Sequence, residues 1–356
     1  MNTKKLFTFV SILVLLSMVL AACATPTAAP TTAPAATSAP AATSAPAATS
    51  APAALAAKDI TIAGVVFQDD QFMNSMVKGY TDAATKYGVK VLTANTNNDQ
   101  AKEGELIQTY MAQGVSGIAI APLSKDASIA NLKQAAGKGI KVAITNMSIT
   151  DSSFLVGGFT SDDYTNAKIV GTNAATFAKA KFTGTVNVAR IDFDDQLPDQ
   201  SKARWSGFYD GLKAGGVDYK EVAHQSAHLQ DAALSTTTDM LTAHPEIQII
   251  FACNEGGTVG ATQAVKQSGK AGKVFTFGYD GSDQLTSMIL SADNILQGTV
   301  AQDPYNMGYK AVEALVNVLE GKTVPDMGKI VIVNGTYLGH DDPTGVKAWR
   351  TANGLK

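Results

Sequence analysis

The chain has 356 residues, 45% apolar and 17% charged, and 28 basic against 31 acidic side chains give a net charge of -3. That length suits two domains of roughly 100–200 residues, and the composition excludes a wholly disordered chain and a polytopic membrane protein. No basic patch or aromatic-interleaved basic run marks a nucleic-acid surface, and two cysteines exclude a disulfide-dense scaffold and a four-cysteine zinc site.

Lys4 and Lys5 precede an apolar run over 6–20, which is short for a membrane span and is followed by small residues. The run ends in Leu20-Ala21-Ala22-Cys23, which resembles the bacterial lipobox. The resemblance implies a signal peptide over 1–22, removed in the mature chain, and a lipid on Cys23 that holds the N-terminus in a membrane. Residues 24–57 are almost wholly Ala, Pro, Thr and Ser, with three copies of TSAPAA over 37–54. Without charge, aromatics or apolar bulk no core forms there, and frequent Pro favours extended chain. Residues 23–57 are therefore expected to be a lipidated tether.

From residue 58 onward short apolar runs alternate with helix-length stretches. The predicted strands are 60–67, 89–94, 117–121, 141–145, 155–159, 185–191, 221–223, 247–252, 274–279, 296–301 and 330–333. Apolar residues at three- and four-residue spacing between them, such as Met76, Val77, Tyr80, Ala83 and Ala84, or Leu285, Met288 and Ile289, predict helices. Strand–helix alternation implies parallel sheets with right-handed crossovers. Nearly 300 residues favour two cores over one, and one sheet of about ten strands would tend to split. The expected fold is α/β, with two doubly wound parallel-sheet lobes.

In such sheets ligands sit beyond the carboxyl ends of the strands. Those ends read Phe67-Gln68-Asp69-Asp70-Gln71-Phe72-Met73, Thr145-Asn146-Met147, Arg190-Ile191-Asp192-Phe193-Asp194-Asp195 with Asp199 and Arg204 following, Cys253-Asn254-Glu255, Tyr279-Asp280-Gly281 and Ala301-Gln302-Asp303. Carboxylates and amides can serve several hydroxyls, and Arg grips an oxygen with a planar fork. Aromatic faces suit the C–H face of a pyranose. The set fits a neutral polyhydroxylated ligand. Asp163, Ser282 and Asp303 are instead expected to be helix N-caps.

Residues 58–340 resemble the sugar-binding periplasmic proteins of bacterial ABC transporters, in the ribose and galactose/glucose group. The segment Asp69-Asp70-Gln71-Phe72-Met73 is similar to that family's Asp-Asp-Asn-Phe-Met. The resemblance implies that Asp70 accepts from sugar hydroxyls and Phe72 stacks on the ring. It assigns ligand roles also to Asn146, Arg204, Asn254 and Asp280. Gln302 stands where the ribose subgroup has Gln and the galactose/glucose subgroup has Asn. Asp199 lies in Leu197-Pro198-Asp199, which lacks the subgroup's His, and Arg204 follows Asp199 by five residues rather than four. The subgroup's stacking Trp falls near His228 or Leu229, Ala121 replaces an Asn of the ribose subgroup, and the calcium loop is missing from 179–185.

The implied architecture is the type 1 periplasmic-binding-protein fold, with an N-terminal lobe of 58–161 and 303–332, a C-terminal lobe of 162–302 and 333–356, and a three-segment hinge. The implied function is capture of an aldohexose, D-glucose ahead of D-galactose, by hinge closure, for delivery to an ABC transporter permease. A pentose, inositol or polyol is the alternative ligand within this fold. The expected protein is extracytoplasmic and monomeric, touches the membrane only through its lipid, and needs no metal or other cofactor.

Enzymatic motifs fail on spacing. Gly321-Lys322-Thr323 has Val316 where a phosphate-binding loop needs Gly. Asp192-Phe193-Asp194-Asp195 has Leu197 and Ala203 where a calcium loop needs Gly and Glu. His224 and His228 lack a matching carboxylate motif, and Cys253 is expected to be a buried small apolar residue. A sugar-responsive repressor would need an N-terminal helix-turn-helix. A secreted glycosidase would need paired carboxylates across one bond.

Overall fold

The computed structural model describes residues 54–325 and 327–355. The expected signal peptide, most of the expected tether and Cys23 lie outside the described residues. The chain runs β1 (Thr61–Val66), α1 (Gln71–Tyr87), β2 (Lys90–Asn95), α2 (Gln100–Gln113), β3 (Gly117–Ile120), α3 (Ile129–Gly137), β4 (Lys141–Asn146) and β5 (Gly157–Thr160). It continues through α4 (Asp163–Lys181), β6 (Val186–Asp192), α5 (Pro198–Ala214), β7 (Tyr219–Ser226), α6 (Gln230–Ala243), β8 (Ile249–Ala252), α7 (Glu255–Gln267), β9 (Phe275–Phe277), α8 (Asp283–Ile289) and β10 (Leu296–Ala301). The last elements are α9 (Pro304–Leu319), β11 (Ile330–Ile332), β12 (Thr336–Gly339) and α10 (Pro343–Ala352).

These strands form two sheets, ordered β2-β1-β3-β4-β5-β11 and β7-β6-β8-β9-β10-β12. The first is parallel throughout. The second is parallel except for β12, which runs antiparallel to β10. Each lobe thus repeats one winding, so β1, β3 and β4 correspond to β6, β8 and β9. The chain passes between sheets after β5, after β10 and after β11. Each predicted strand is present within a few residues. The strand β12 is additional: four residues after Asn334-Gly335 are too few to show a period.

Central strands are buried along their length, as β3, β5 and β8 show, whereas the edge strands β2 and β7 are half-exposed or exposed throughout. Two-sided helix cover explains the continuous apolar runs. Fully buried Ile62, Ile118, Ile120, Val142, Ile249 and Ile250 each contribute about 1.5–3 kcal/mol of transfer free energy. The helices that cross between lobes dock at close range. α9 packs on α1 and α4 on α5. A Cβ on Gly308 would stand 2.4 Å from the Met76 carbonyl oxygen, and one on Gly171 would stand 2.0 Å from that of Phe208.

Strand ends are followed by capped helices. Asp70, Asp162, Asn254, Ser282 and Asp303 each accept a backbone N–H of the helix they open. Ser282 and Asp303 are caps, as expected. Asp163 is not: Asp162 has the extended backbone of a cap (φ -84, ψ 91), and Asp163 is already inside the first turn. Its carboxylate turns to Arg204.

Candidate functional site

The carboxyl ends of both sheets face one cleft, lined by Phe67, Gln68, Asp70, Phe72, Met73 and Asn146 from the first lobe and by Phe193, Gln196, Leu197, Gln200, Arg204, Asn254, Asp280 and Gln302 from the second or its border. The walls enclose about 350 Å³ of empty volume, mouth included, of which only about 30 Å³ admits the centre of a water molecule. The first value lies at the small end of ligand pockets, about 300–1,000 Å³. The second, the stricter measure of free space, shows a narrow cleft largely occupied by its own lining side chains.

Asp70 serves two roles. As N-cap of α1 its Oδ1 accepts the Met73 N–H at 2.8 Å, and its other oxygen accepts from Gln68 Nε2. Burial raises its pKa, against the pull of those two hydrogen bonds. Phe72 and the buried Met73 also line the cleft.

Asn146 ends β4 and Asp280 lies three residues past the corresponding strand β9, and both have positive φ, 65° and 77°. Asn and Asp are the non-glycine residues that best tolerate this region. Such backbone, at equivalent points of both lobes, marks a constrained site. Asn146 is buried, yet its side chain makes no hydrogen bond among the described residues. Asp280 Oδ2 accepts the Glu255 N–H at 2.9 Å, and Oδ1 accepts from Gln302 Nε2 at 2.6 Å. Burial raises the Asp280 pKa, opposed by Arg204 and by the Gln302 hydrogen bond. Gln302 Oε1 is buried with no partner among the described residues. A buried acceptor left alone costs about 1–3 kcal/mol, and a ligand donor would satisfy it.

Arg204 is 4% exposed and held on every side. Nε donates to Asp163 Oδ1 at 2.8 Å and Nη1 to the Cys253 carbonyl at 2.9 Å. The guanidinium stacks 3.9 Å from the Tyr279 ring centroid and 5.3 Å from that of Phe193. Burial works against its charge, but Asp163, Tyr279 and Asp280 outweigh that and leave its pKa above the ordinary value. Asp163 also accepts from Gln200 Nε2 at 3.1 Å and from the Tyr279 hydroxyl at 3.2 Å. Beside Asp280, burial pushes the Glu255 carboxyl up to about 7, with the Asp280 and Asp70 charges adding to the effect.

Three sequence-expected ligand residues stand outside this lining. Asp69 is exposed and accepts from Asn74 Nδ2 at 3.0 Å, because the turn into α1 points it outward. Asp199, in the first turn of α5, pairs with Lys125 across the cleft edge at 2.8 Å. His228 lines a separate outer cavity. Its carbonyl, not its ring, is fixed from the site side, by Asn254 Nδ2 at 2.8 Å. Asn254 is thus as much a positioning residue as a cleft residue. Sequence reasoning did not single out Gln68, Gln196, Gln200 or Asp163. The four-residue spacing of Gln200 and Arg204 was the available signal, since it puts both on one helix face.

The periplasmic binding protein domain family matches residues 62–323. The chain belongs to the periplasmic binding protein domain family. It has the family's type 1 fold, and as a family member it is an extracytoplasmic solute-binding protein and not an enzyme. It is 29% identical over 271 residues to the ribose import binding protein of Bacillus subtilis (strain 168), covering 75% of this chain and 84% of that one. Against the D-allose-binding periplasmic protein of Escherichia coli (strain K12) it is 27% identical over 260 residues, covering 71% and 83%. A solved solute-binding protein from Agrobacterium vitis with bound D-fucose is 25% identical at a TM-score of 0.69, covering 81% of this chain and 98% of that one. Among the described residues no helix is long and apolar enough to cross a membrane.

Proposed function

We propose that this periplasmic binding protein captures a monosaccharide, an aldohexose with D-glucose ahead of D-galactose, and delivers it to an ABC transporter permease. The observation that carries the proposal is the cleft lining. Asp70, Asn146, Asp280 and Gln302 offer acceptors and donors from both lobes, Arg204 a fixed cation, and Phe72 a ring. Relatives named for ribose and D-allose, and a solved neighbour holding D-fucose, support a single sugar ring as the ligand class. Asp70, Phe72 and Asn146 would bind from one side and Arg204, Asn254 and Asp280 from the other. A ligand shifts an open–closed equilibrium only through such differential contacts. Gln302, together with the ribose-binding relative, favours a pentose as the second reading.

A thermal-shift screen across hexoses, pentoses and inositols tests the assignment. A ligand at about 100 times its Kd adds about 2.7 kcal/mol to folding stability. The largest shift is expected with D-glucose. Shifts confined to ribose would replace the hexose by a pentose, and no shift with any sugar would remove the sugar assignment.

We further propose that Cys23 carries the lipid that anchors this monomer outside the cytoplasm. Labelled palmitate should enter the wild type and not Cys23→Ser; equal labelling of both would contradict the anchor.

A further inference from the structure

The seat described above is separated from a second, larger cavity by a strap of carboxamides. The outer cavity, about 500 Å³ against about 30 Å³ for the seat by the same measure, is bordered by Asn98, Leu123, Ser124, Asp195, Pro198 and His228. Gln196 borders both spaces. It stands between β6 and α5 in the second lobe, and its Nε2 reaches across to two first-lobe oxygens, Gln68 Oε1 at 2.8 Å and Asn98 Oδ1 at 2.6 Å. Gln68 Nε2 in turn donates to Asp70.

The orientation of this chain is fixed by chemistry. An ionised carboxylate only accepts, so Gln68 must turn its nitrogen to Asp70 and its oxygen to Gln196. Gln196 then presents its nitrogen, and its two N–H groups are both used. The strap runs from the outer cavity to the carboxylate of the seat. A sugar hydroxyl that bonds Asp70 competes directly with Gln68. A substituent on the ring position facing the strap meets Gln196 and must break both cross-cleft bonds.

We propose that the outer cavity is a latent second subsite, with room for the aglycone or second ring of a glycoside, and that Gln196 is the specificity residue that closes it off from the cleft. Leu123 and Pro198 offer apolar surface to such a group, while Ser124, Asp195 and His228 offer polar contacts. With the strap in place the protein accepts free monosaccharides and rejects their glycosides. The proposal rests on the monosaccharide assignment above.

The test is calorimetric titration of the full chain with the best free sugar and with its α- and β-phenyl glycosides. Wild type is compared with Gln196→Ala and with Asn98→Gly. Asn98 has φ +59 and does not border the seat, so glycine suits its backbone and cuts the strap from outside. Wild type is expected to favour the free sugar over both glycosides by tenfold or more. Each variant is expected to bring at least one anomer to within threefold of the free sugar. Wild type binding a phenyl glycoside as tightly as the free sugar, or both variants keeping the tenfold preference, overturns the subsite while leaving the sugar assignment intact. Wild type binding no sugar overturns the sugar assignment and the subsite with it.

Discussion

At the scale of single residues, the site places more negative charge than one arginine can balance. Arg204 is already paired with Asp163 at 2.8 Å and stands 4.0 Å from Asp280. Glu255 is left beside Asp280 and Asp70 with its pKa pushed up to about 7, first by burial and then by those like charges, while the Ser282 hydroxyl acts in the opposite direction. A carboxyl with a raised folded-state pKa binds more protons in the folded than in the unfolded chain. Its ionisation therefore costs stability, starting as pH rises above the unfolded value of about 4.3 and reaching full size above about 7. The cost is on the order of 3 kcal/mol. Glu255→Gln should accordingly raise the thermal midpoint at pH 8 and change it little at pH 4.5. Equal effects at both pH values would contradict the protonation account. The residue scale is also where sequence was least informative. Asp70, Asn146, Arg204, Asn254, Asp280 and Gln302 were legible because each directly follows an apolar strand or matches a family motif. Asp69 and Asp199 share those segments but point outward, since side-chain direction in a turn depends on dihedrals that composition does not carry. Asp163 was misread as a cap because its partner Arg204 lies 41 residues away.

Among elements, the two helix pairs α1–α9 and α4–α5 join the crossing chain to the lobe it enters. Their closeness depends on glycine. Ala in place of a helical Gly gains about 1 kcal/mol where space allows, but overpacking against backbone costs about 1–3 kcal/mol. Gly171→Ala would bring a Cβ to 2.0 Å from the Phe208 carbonyl, whereas Gly137 has nothing within 4 Å. Gly171→Ala should therefore lower the thermal midpoint by several degrees, and Gly137→Ala should hold or raise it. A stable Gly171→Ala protein would show that α4 and α5 can separate without loss. The strands of these lobes were legible because two-sided burial writes continuous apolar runs. β12 was not: it is a four-residue antiparallel edge, and its partner β10 is 35 residues earlier at nearest pairing, Ala301 with Thr336.

For the whole molecule, the repeated winding explains why the site is shared. Asn146 ends β4 and Asp280 follows β9 by three residues, at matching register positions, so two sheets with one topology aim equivalent polar residues at one cleft. The lobes meet there through the Gln196 bonds and the Lys125–Asp199 pair. The ion pair is exposed, at 41% and 65%, and is worth little energetically. On the proposed function, closure is expected to depend on what fills the cleft more than on rim contacts. Calorimetric titration of D-glucose into wild type, Asp70→Ala and Asp280→Ala tests this most directly. The expected result is one site per chain in wild type, and a loss of about 2–5 kcal/mol, roughly thirtyfold or more in Kd, in each variant, because each removes the contact of a different lobe. Wild type that binds neither D-glucose nor any other sugar of the screen, or a single-lobe variant that keeps wild-type affinity, would contradict capture between the two lobes.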